Sequence, residues 1–523
     1  MESLAAWLAR RASLLRSLRI DWIAEHVDAA MPVSSVLQQS MPGLTSLSVQ
    51  WGDGRGSFKL LACLARHHPQ LTALAVGIGG QRPFEEEILI DGREDQPPMT
   101  WLTGLQRLRQ LHLSGFNLHP STAVALGQLT GLASLAVNVM GGDVRQALQA
   151  SLQQLRSLTS LSAAFPWQHP EQEEEEDEQE EGPPLDVGGL PSLAVLQLAG
   201  GEVCSLGASG SPLTWLQLHD TKFGMEELCQ CSRLVGLKAS LYSFNNSLFT
   251  FCFGEAGDQP ERDLPDGSLP ALRTLTLCVS ESDPEFAGRE PMVLPDELCT
   301  FTALTQLVVQ ASPVRIQTAQ DWRRSMAESS LWGLSLEVPD SKTLERESFA
   351  EDKESAPSLE VGPDFYLPHL QELSLLNCRL LKVPEFIADL PELHTLRLSG
   401  NPFGIAWGPT DFPGLPGTVC KTLQRLELRG CFLQAVPPYL SHLTALTALD
   451  LSGNRTLEIA PSDVHIFSCL TGLRKLRLAK PPGLVHEAAE WRQGSVEALL
   501  DLQRTCSWLD LRHALQREGS GMP

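Results

Sequence analysis

A chain of 523 residues, 42% of them hydrophobic, can bury a core large enough for three or four globular domains, unless it is a repeat array. Its formal net charge of −23 repels phosphate backbones and anionic lipid surfaces over the surface as a whole, so nucleic-acid and membrane-surface roles are disfavoured at the outset. The 12 cysteines run from Cys63 to Cys506 with no even framework, which is the usage of reduced thiols in a cytoplasmic or nuclear protein.

At the start of the chain, Leu4, Trp7, Leu8 and Leu15 recur at helical spacing and predict a capping helix over 1–14. Arginines interrupt this stretch, so it lacks the apolar core of a signal peptide; an organelle transit peptide is the alternative reading of the same residues. No later run approaches 18 apolar residues, and membrane insertion is not expected.

From Leu15 onward one phrase dominates: Leu-x-x-Leu-x-Leu, with Val, Ile or Ala sometimes in the last place. It opens as LRSLRI at Leu15 and returns at Leu44, Leu71, Leu108, Leu132, Leu158, Leu193, Leu213 and, more weakly, Leu234. It continues at Leu272, Leu304, Leu331, Leu370, Leu393, Leu423, Leu446 and Leu473, and a degenerate copy, CSWLDL, begins at Cys506. Side chains alternate along a strand, so the fourth and sixth positions point into a core while the third, fifth and seventh face out. One coil cannot cover its own leucines; stacking a neighbour on each side does, which predicts a continuous core beneath a parallel sheet.

The phrase and its period, roughly 20 to 39 residues, resemble the leucine-rich-repeat superfamily over most of the chain. Between Leu370 and Leu478 the repeats resemble the plant intracellular type. That likeness implies that Cys378, Asn401, Cys431 and Asn454 turn the chain after each strand and hydrogen-bond exposed backbone. It also implies that Val383-Pro384 and Val436-Pro437 begin the convex side. Earlier segments such as FKLLACLARHHPQL and VRQALQASLQQLRSL carry helix-period leucines before their strands and are similar to repeats of F-box receptor proteins, although no F-box helices are seen. The fold expected is an α/β leucine-rich-repeat solenoid, a horseshoe of about 18 coils with the sheet on its concave face and helices and loops on its convex face. Irregular helix-bearing repeats are expected over 15–366, regular repeats over 367–480, and a C-terminal cap and tail over 481–523.

Four stretches widen the spacing, at about 77–104, 165–190, 243–269 and 337–366, and read as loops leaving the coil. The second carries EQEEEEDEQEE from Glu171 to Glu181, so an acidic disordered loop is expected over about 166–190, either a solvated loop or a docking tail for a basic partner.

Chemistry-bearing motifs are scarce. Gly52-Asp-Gly54-Arg-Gly56 and Gly77-Ile-Gly79-Gly80 lack phosphate-loop spacing and read as turns. Cys229-Gln-Cys231 is the one close cysteine pair, with no second pair to complete a zinc site, and reads as a turn cysteine and a buried thiol. His67-His68 falls at the end of a helix, where exposed imidazoles suit the C-terminal dipole. No catalytic residue, metal or cofactor is expected, and the chain reads as a non-enzyme.

The outward positions give a map of where a partner would bind. The first two-thirds are bland, with Ser46, Ser48, Gln50, Ala73, Ala75, Gln110, His112, Ser134, Asn138, Ser160, Ser162 and Gln197, until Trp215, Gln217 and His219 interrupt them. Trp215 and His219 are the candidate anchors there. The last strands present Arg397, Arg425, Glu427, Arg429, Asp450, Lys475, Arg477, Trp508, Asp510 and Arg512, a basic excess that fits an acidic partner segment. The competing reading pairs Arg397 with Glu427 and Asp450 with Arg477 along the sheet. The expected function is a monomeric, non-catalytic interaction scaffold or receptor in the cytoplasm. Substrate recognition in a ubiquitin ligase and a regulatory axonemal subunit are the alternatives.

Overall fold

In the computed structural model the described residues are most of 11–22, 41–51, 62–78, 99–165, 184–241, 269–279, 293–311, 360–361 and 366–478. The expected cap helix over 1–14, except for its last few residues, the acidic run Glu171–Glu181, the Leu331 and Cys506 repeats and the tail 481–523 lie outside them. The chain forms two compact units, Met1–Leu237 and Lys238–Pro523.

In the first unit the strands Ser17–Trp22, Ser46–Trp51, Ala73–Ile78, Gln110–Asn117, Ser134–Asn138, Ser160–Ala164, Val195–Ala199 and Trp215–His219 lie side by side in chain order, all parallel. Register aligns the fourth-position leucines in one row, from Leu47 through Leu74, Leu111, Leu135, Leu161 and Leu196 to Leu216. None of these is more than 2% exposed. A row of this kind is the reason for the phrase: each leucine is sealed by the same residue of the coils on either side.

The backbone repeats one device from coil to coil. The second- and third-position N–H groups both donate to the second-position carbonyl of the preceding coil, as Thr72 and Ala73 do to Thr45 at 2.8 and 3.0 Å. Where the second residue is threonine, its hydroxyl donates to that same carbonyl. Thr45, Thr72, Thr159 and Thr214 do so in this unit, at 2.9 to 3.1 Å.

Behind this sheet, the helix-period segments fold as read. Helices Pro120–Gly127 and Gly142–Leu152 pack together, and the second turns Val144, Leu148 and Leu152 into the core. The first has Pro120 in its first turn, while the Nδ1 of His119 accepts a bond from the Ser121 N–H. In the earlier segment the helix among the described residues is Leu64–His67.

Past Phe165 the backing changes to a second, three-stranded parallel sheet of Leu185–Asp186, Glu202–Ser205 and Lys222–Phe223. Leu185–Asp186 thus forms a strand inside the range expected to be an acidic loop. Its free edge is closed by Gln149 of the preceding helix, whose amide donates to the Asp186 carbonyl at 2.7 Å and accepts from the Asp186 N–H at 2.9 Å. The side chain takes the place of the next strand.

In the second unit Thr274–Val279, Gln306–Ala311, Glu372–Leu376, Thr395–Arg397, Arg425–Glu427, Ala448–Asp450 and Lys475–Arg477 again run parallel in chain order. Their shared row is Leu275, Leu307, Leu373, Leu396, Leu426, Leu449 and Leu476, none more than 1% exposed.

Gln306–Ala311 pairs directly with Glu372–Leu376, and the N–H groups of Gln371 and Glu372 donate to the Thr305 carbonyl at 2.9 and 3.0 Å.

The last four strands are three residues long, and after two of them a buried asparagine turns the chain. Asn401, fully buried, donates through Nδ2 to the carbonyls of Leu375 and Leu398, both at 2.8 Å, and accepts from the Leu380 N–H at 3.1 Å. Asn454 does the same for Leu428 and Leu451, and accepts from the N–H groups of Cys431 and Leu433. Cys378 and Cys431 occupy the equivalent place with a single weak donor, reaching Val309 at 3.5 Å and Leu398 at 3.3 Å. Gly400, at φ +77°, makes the turn beside Asn377, where any Cβ would collide with that side chain. Both Val-Pro steps then lead into 3-10 turns, Glu385–Asp389 and Pro438–His442.

Candidate functional site

The leucine rows leave the other face of each sheet to the third, fifth and seventh positions. On the first unit this open face is nearly uncharged. Its central row opens on Arg19 and then runs Ser48, Ala75, His112, Ala136, Ser162, Gln197 and Gln217. Two of these are more covered than an open face implies, Ala136 at 8% and Ser162 at 5% exposed. Burial holds the His112 imidazole below its ordinary pKa, so it is neutral at pH 7.

The Trp215–His219 strand brings three candidate contacts into one strip, with Trp215, Gln217 and His219 all half-buried and facing the same way. The Gln217 carbonyl oxygen accepts from the Gln197 amide at 3.4 Å. The indole of Trp215 lies over Gly236, the equivalent residue of the next coil, where a Cβ would overlap its ring atoms. Glycine at that position lets the indole spread over the sheet.

The open face of the second unit is charged, and register sorts its charges into two rows. One row contains Glu372, Thr395, Arg425, Ala448 and Lys475; the next contains Ser374, Arg397, Glu427, Asp450 and Arg477. The second row neutralises itself. Arg397 reaches Glu427 at 3.4 Å and Glu372 at 3.5 Å, with Ser374 Oγ at 3.4 Å, and Arg477 reaches Asp450 at 3.4 Å. Both pairings weighed in the competing sequence reading are therefore present. Arg425, Arg429 and Lys475 are exposed, and neither Arg425 nor Lys475 has an acidic partner among the described residues. Trp508 and Arg512, the remaining candidates, lie outside those residues.

Burial pushes the Cys431 thiol up to about 12, raises Cys420 and Cys63, and drives the Tyr439 phenol far above its ordinary range. Cys231 is buried, as read from its motif. His68 departs from expectation: it is fully buried, its N–H donating to Leu64 at 2.7 Å and its carbonyl accepting from Leu71 at 3.1 Å, so it closes the helix from inside the core. Gly77 also departs, lying within the Ala73–Ile78 strand and not in a turn. Among the described residues no group of three or more His, Cys, Asp or Glu could hold a metal, and no helix is long and apolar enough to cross a membrane.

Sequence reasoning missed the threonine ladder, Gln149 and Gly236. The first was visible, since Leu-Thr opens LTSLSV, LTALAV, LTSLSA, LTWLQL, LTQLVV and LTALDL. The other two depend on which residues become neighbours in space.

No family model matches the chain, and no curated protein matches it. Solved structures similar to it include a leucine-rich-repeat protein of Leptospira interrogans, at 16% identity over 97% of this chain and 98% of that one, with a TM-score of 0.36. An internalin of Listeria monocytogenes is 12% identical over 98% of this chain and 89% of its own, with a TM-score of 0.29. TLR13, in its complex with ssRNA13, is 16% identical over 90% of this chain and 62% of its own, with a TM-score of 0.38. The architecture rests on the chain's own geometry: leucine rows and parallel ladders in chain order make each unit a leucine-rich-repeat solenoid, with asparagine turns in the second.

Proposed function

We propose that this chain is a non-catalytic protein-interaction scaffold and that the open sheet face of its second unit receives an acidic segment of a partner protein. The observation that carries this reading is the charge of that face. From Glu372 to Arg477 it presents five cations, Arg397, Arg425, Arg429, Lys475 and Arg477, against three carboxylates, Glu372, Glu427 and Asp450, in a chain whose net charge is −23. A basic face in an acidic protein speeds encounter with acidic partners and disfavours basic ones. Solenoids offer such a face as a broad, rigid surface whose side chains can change without disturbing the leucine rows.

The test is charge reversal at Arg425, Arg429 and Lys475 together in the full chain. Loss of partner capture by affinity purification, with an unchanged circular dichroism spectrum, is the expected result. Capture at the wild-type level by the folded variant would refute the reading.

A further inference from the structure

Resting on that reading, we infer that Arg425 and Lys475 form a two-cation seat, centred over Ala448, for one carboxylate of an acidic peptide. Register places the three residues in a line across adjacent strands, Arg425 beside Ala448 and Ala448 beside Lys475. Strand spacing puts the outer two about 10 Å apart at Cα. Both side chains are long enough to lean over the alanine between them, and its small side chain leaves a notch open to solvent.

What separates this pair from the other charges on the face is its neighbourhood. In the adjoining row every carboxylate is already answered: Glu427 by Arg397 and Asp450 by Arg477. The acids nearest the notch therefore do not satisfy Arg425 or Lys475, and the nearer cations do not compete for the carboxylate they would take. Arg397 itself is held on both sides, by Glu372 and Glu427, with only 25% of its side chain exposed. The face thus consists of a self-neutralised row that fixes the sheet and an unneutralised pair that points away from it. One carboxylate, offering an oxygen to each head, matches that pair in charge and geometry. A peptide with alternating acidic residues, extended across the strands, brings such a group to the notch.

Binding of a fluorescein-labelled dodecapeptide of alternating Glu and Ser to the full chain, followed by anisotropy at low ionic strength, tests the seat. Ala448→Leu keeps both cations and fills the notch, whereas Thr395→Leu makes the equivalent change on the far side of Arg425. The seat predicts that Ala448→Leu and the double variant Arg425→Gln/Lys475→Gln each weaken binding roughly two- to fivefold or more. Thr395→Leu should leave it at the wild-type level, and raising the salt should weaken wild type more than the double variant. Wild-type binding by Ala448→Leu, equal losses in the two leucine variants, or tighter binding of a Ser peptide carrying one phosphoserine would each overturn the proposal. Those outcomes leave the broader reading intact if charge reversal still abolishes partner capture. Unaffected capture would remove that reading independently.

Discussion

At the scale of single residues, the two kinds of turn residue show how much one side chain can decide. Asn401 satisfies two carbonyls and one N–H, whereas Cys431 in the equivalent place of the next coil offers one weak donor, which reaches one of the same carbonyls, that of Leu398. Asn401→Ala strands the Leu375 carbonyl and the Leu380 N–H, leaves the Leu398 carbonyl only the weak Cys431 thiol, and should cost on the order of 2 kcal/mol, read from urea unfolding of the full chain. Cys431 has a different consequence. Its thiol pKa lies at about 12 when folded against an ordinary value of 9.0, because burial disfavours the thiolate. The stability this provides is fully present below pH 9 and is lost as the pH rises from 9 toward 12, since the unfolded chain releases the proton first. Cys431→Ala should flatten that part of the stability profile, measured by unfolding midpoints across the alkaline range. The asparagine and cysteine positions were legible in the sequence because each follows its phrase at a fixed offset. The burial of His68 was not legible: a histidine before proline at a helix end looks the same whether the next coil covers it or not.

At the scale of elements, the unit of stability is the leucine row and not the strand. Strands of three residues, such as Thr395–Arg397, persist because Leu396 is fully buried between Leu373 and Leu426. Leu275→Ala should accordingly cost roughly 2 to 5 kcal/mol. The loss should spread, with faster amide exchange at Thr305 and Gln306, which bond to the carbonyl of Arg273 in the affected coil. Exchange confined to residues 272–279 would contradict this coupling. A hexapeptide states which face of a strand would be apolar, but pairing is a property of two segments: Glu372–Leu376 lies beside Gln306–Ala311 although some 60 residues separate them in sequence. Gln149 makes the same point from the other direction, since its role as an edge closure exists only because a strand lies beside its helix.

At the scale of the whole molecule, charge is partitioned between coils and insertions. The four stretches at 77–104, 165–190, 243–269 and 337–366 contain 30 of the 63 Asp and Glu residues but 6 of the 40 Lys and Arg residues. The rest of the chain is close to neutral, so the net charge of −23 describes those stretches of sequence and says little about the sheet faces. Deleting Glu171–Glu181 should therefore raise the isoelectric point, seen by focusing, while leaving the circular dichroism spectrum and the captured partners unchanged. A changed partner set would show that the acidic run is a docking element in its own right.

The sequence by itself determined the coil, its inward residues, its turns and the parallel order of its strands, because each is set by local alternation and a period that nearest neighbours share. Only the tertiary structure decided which phrases became adjacent strands, which charges neutralise one another, and which remain available over Ala448. Those outcomes depend on distances between residues 20 to 70 positions apart. A repeat fixes the offset between such residues only when no insertion intervenes.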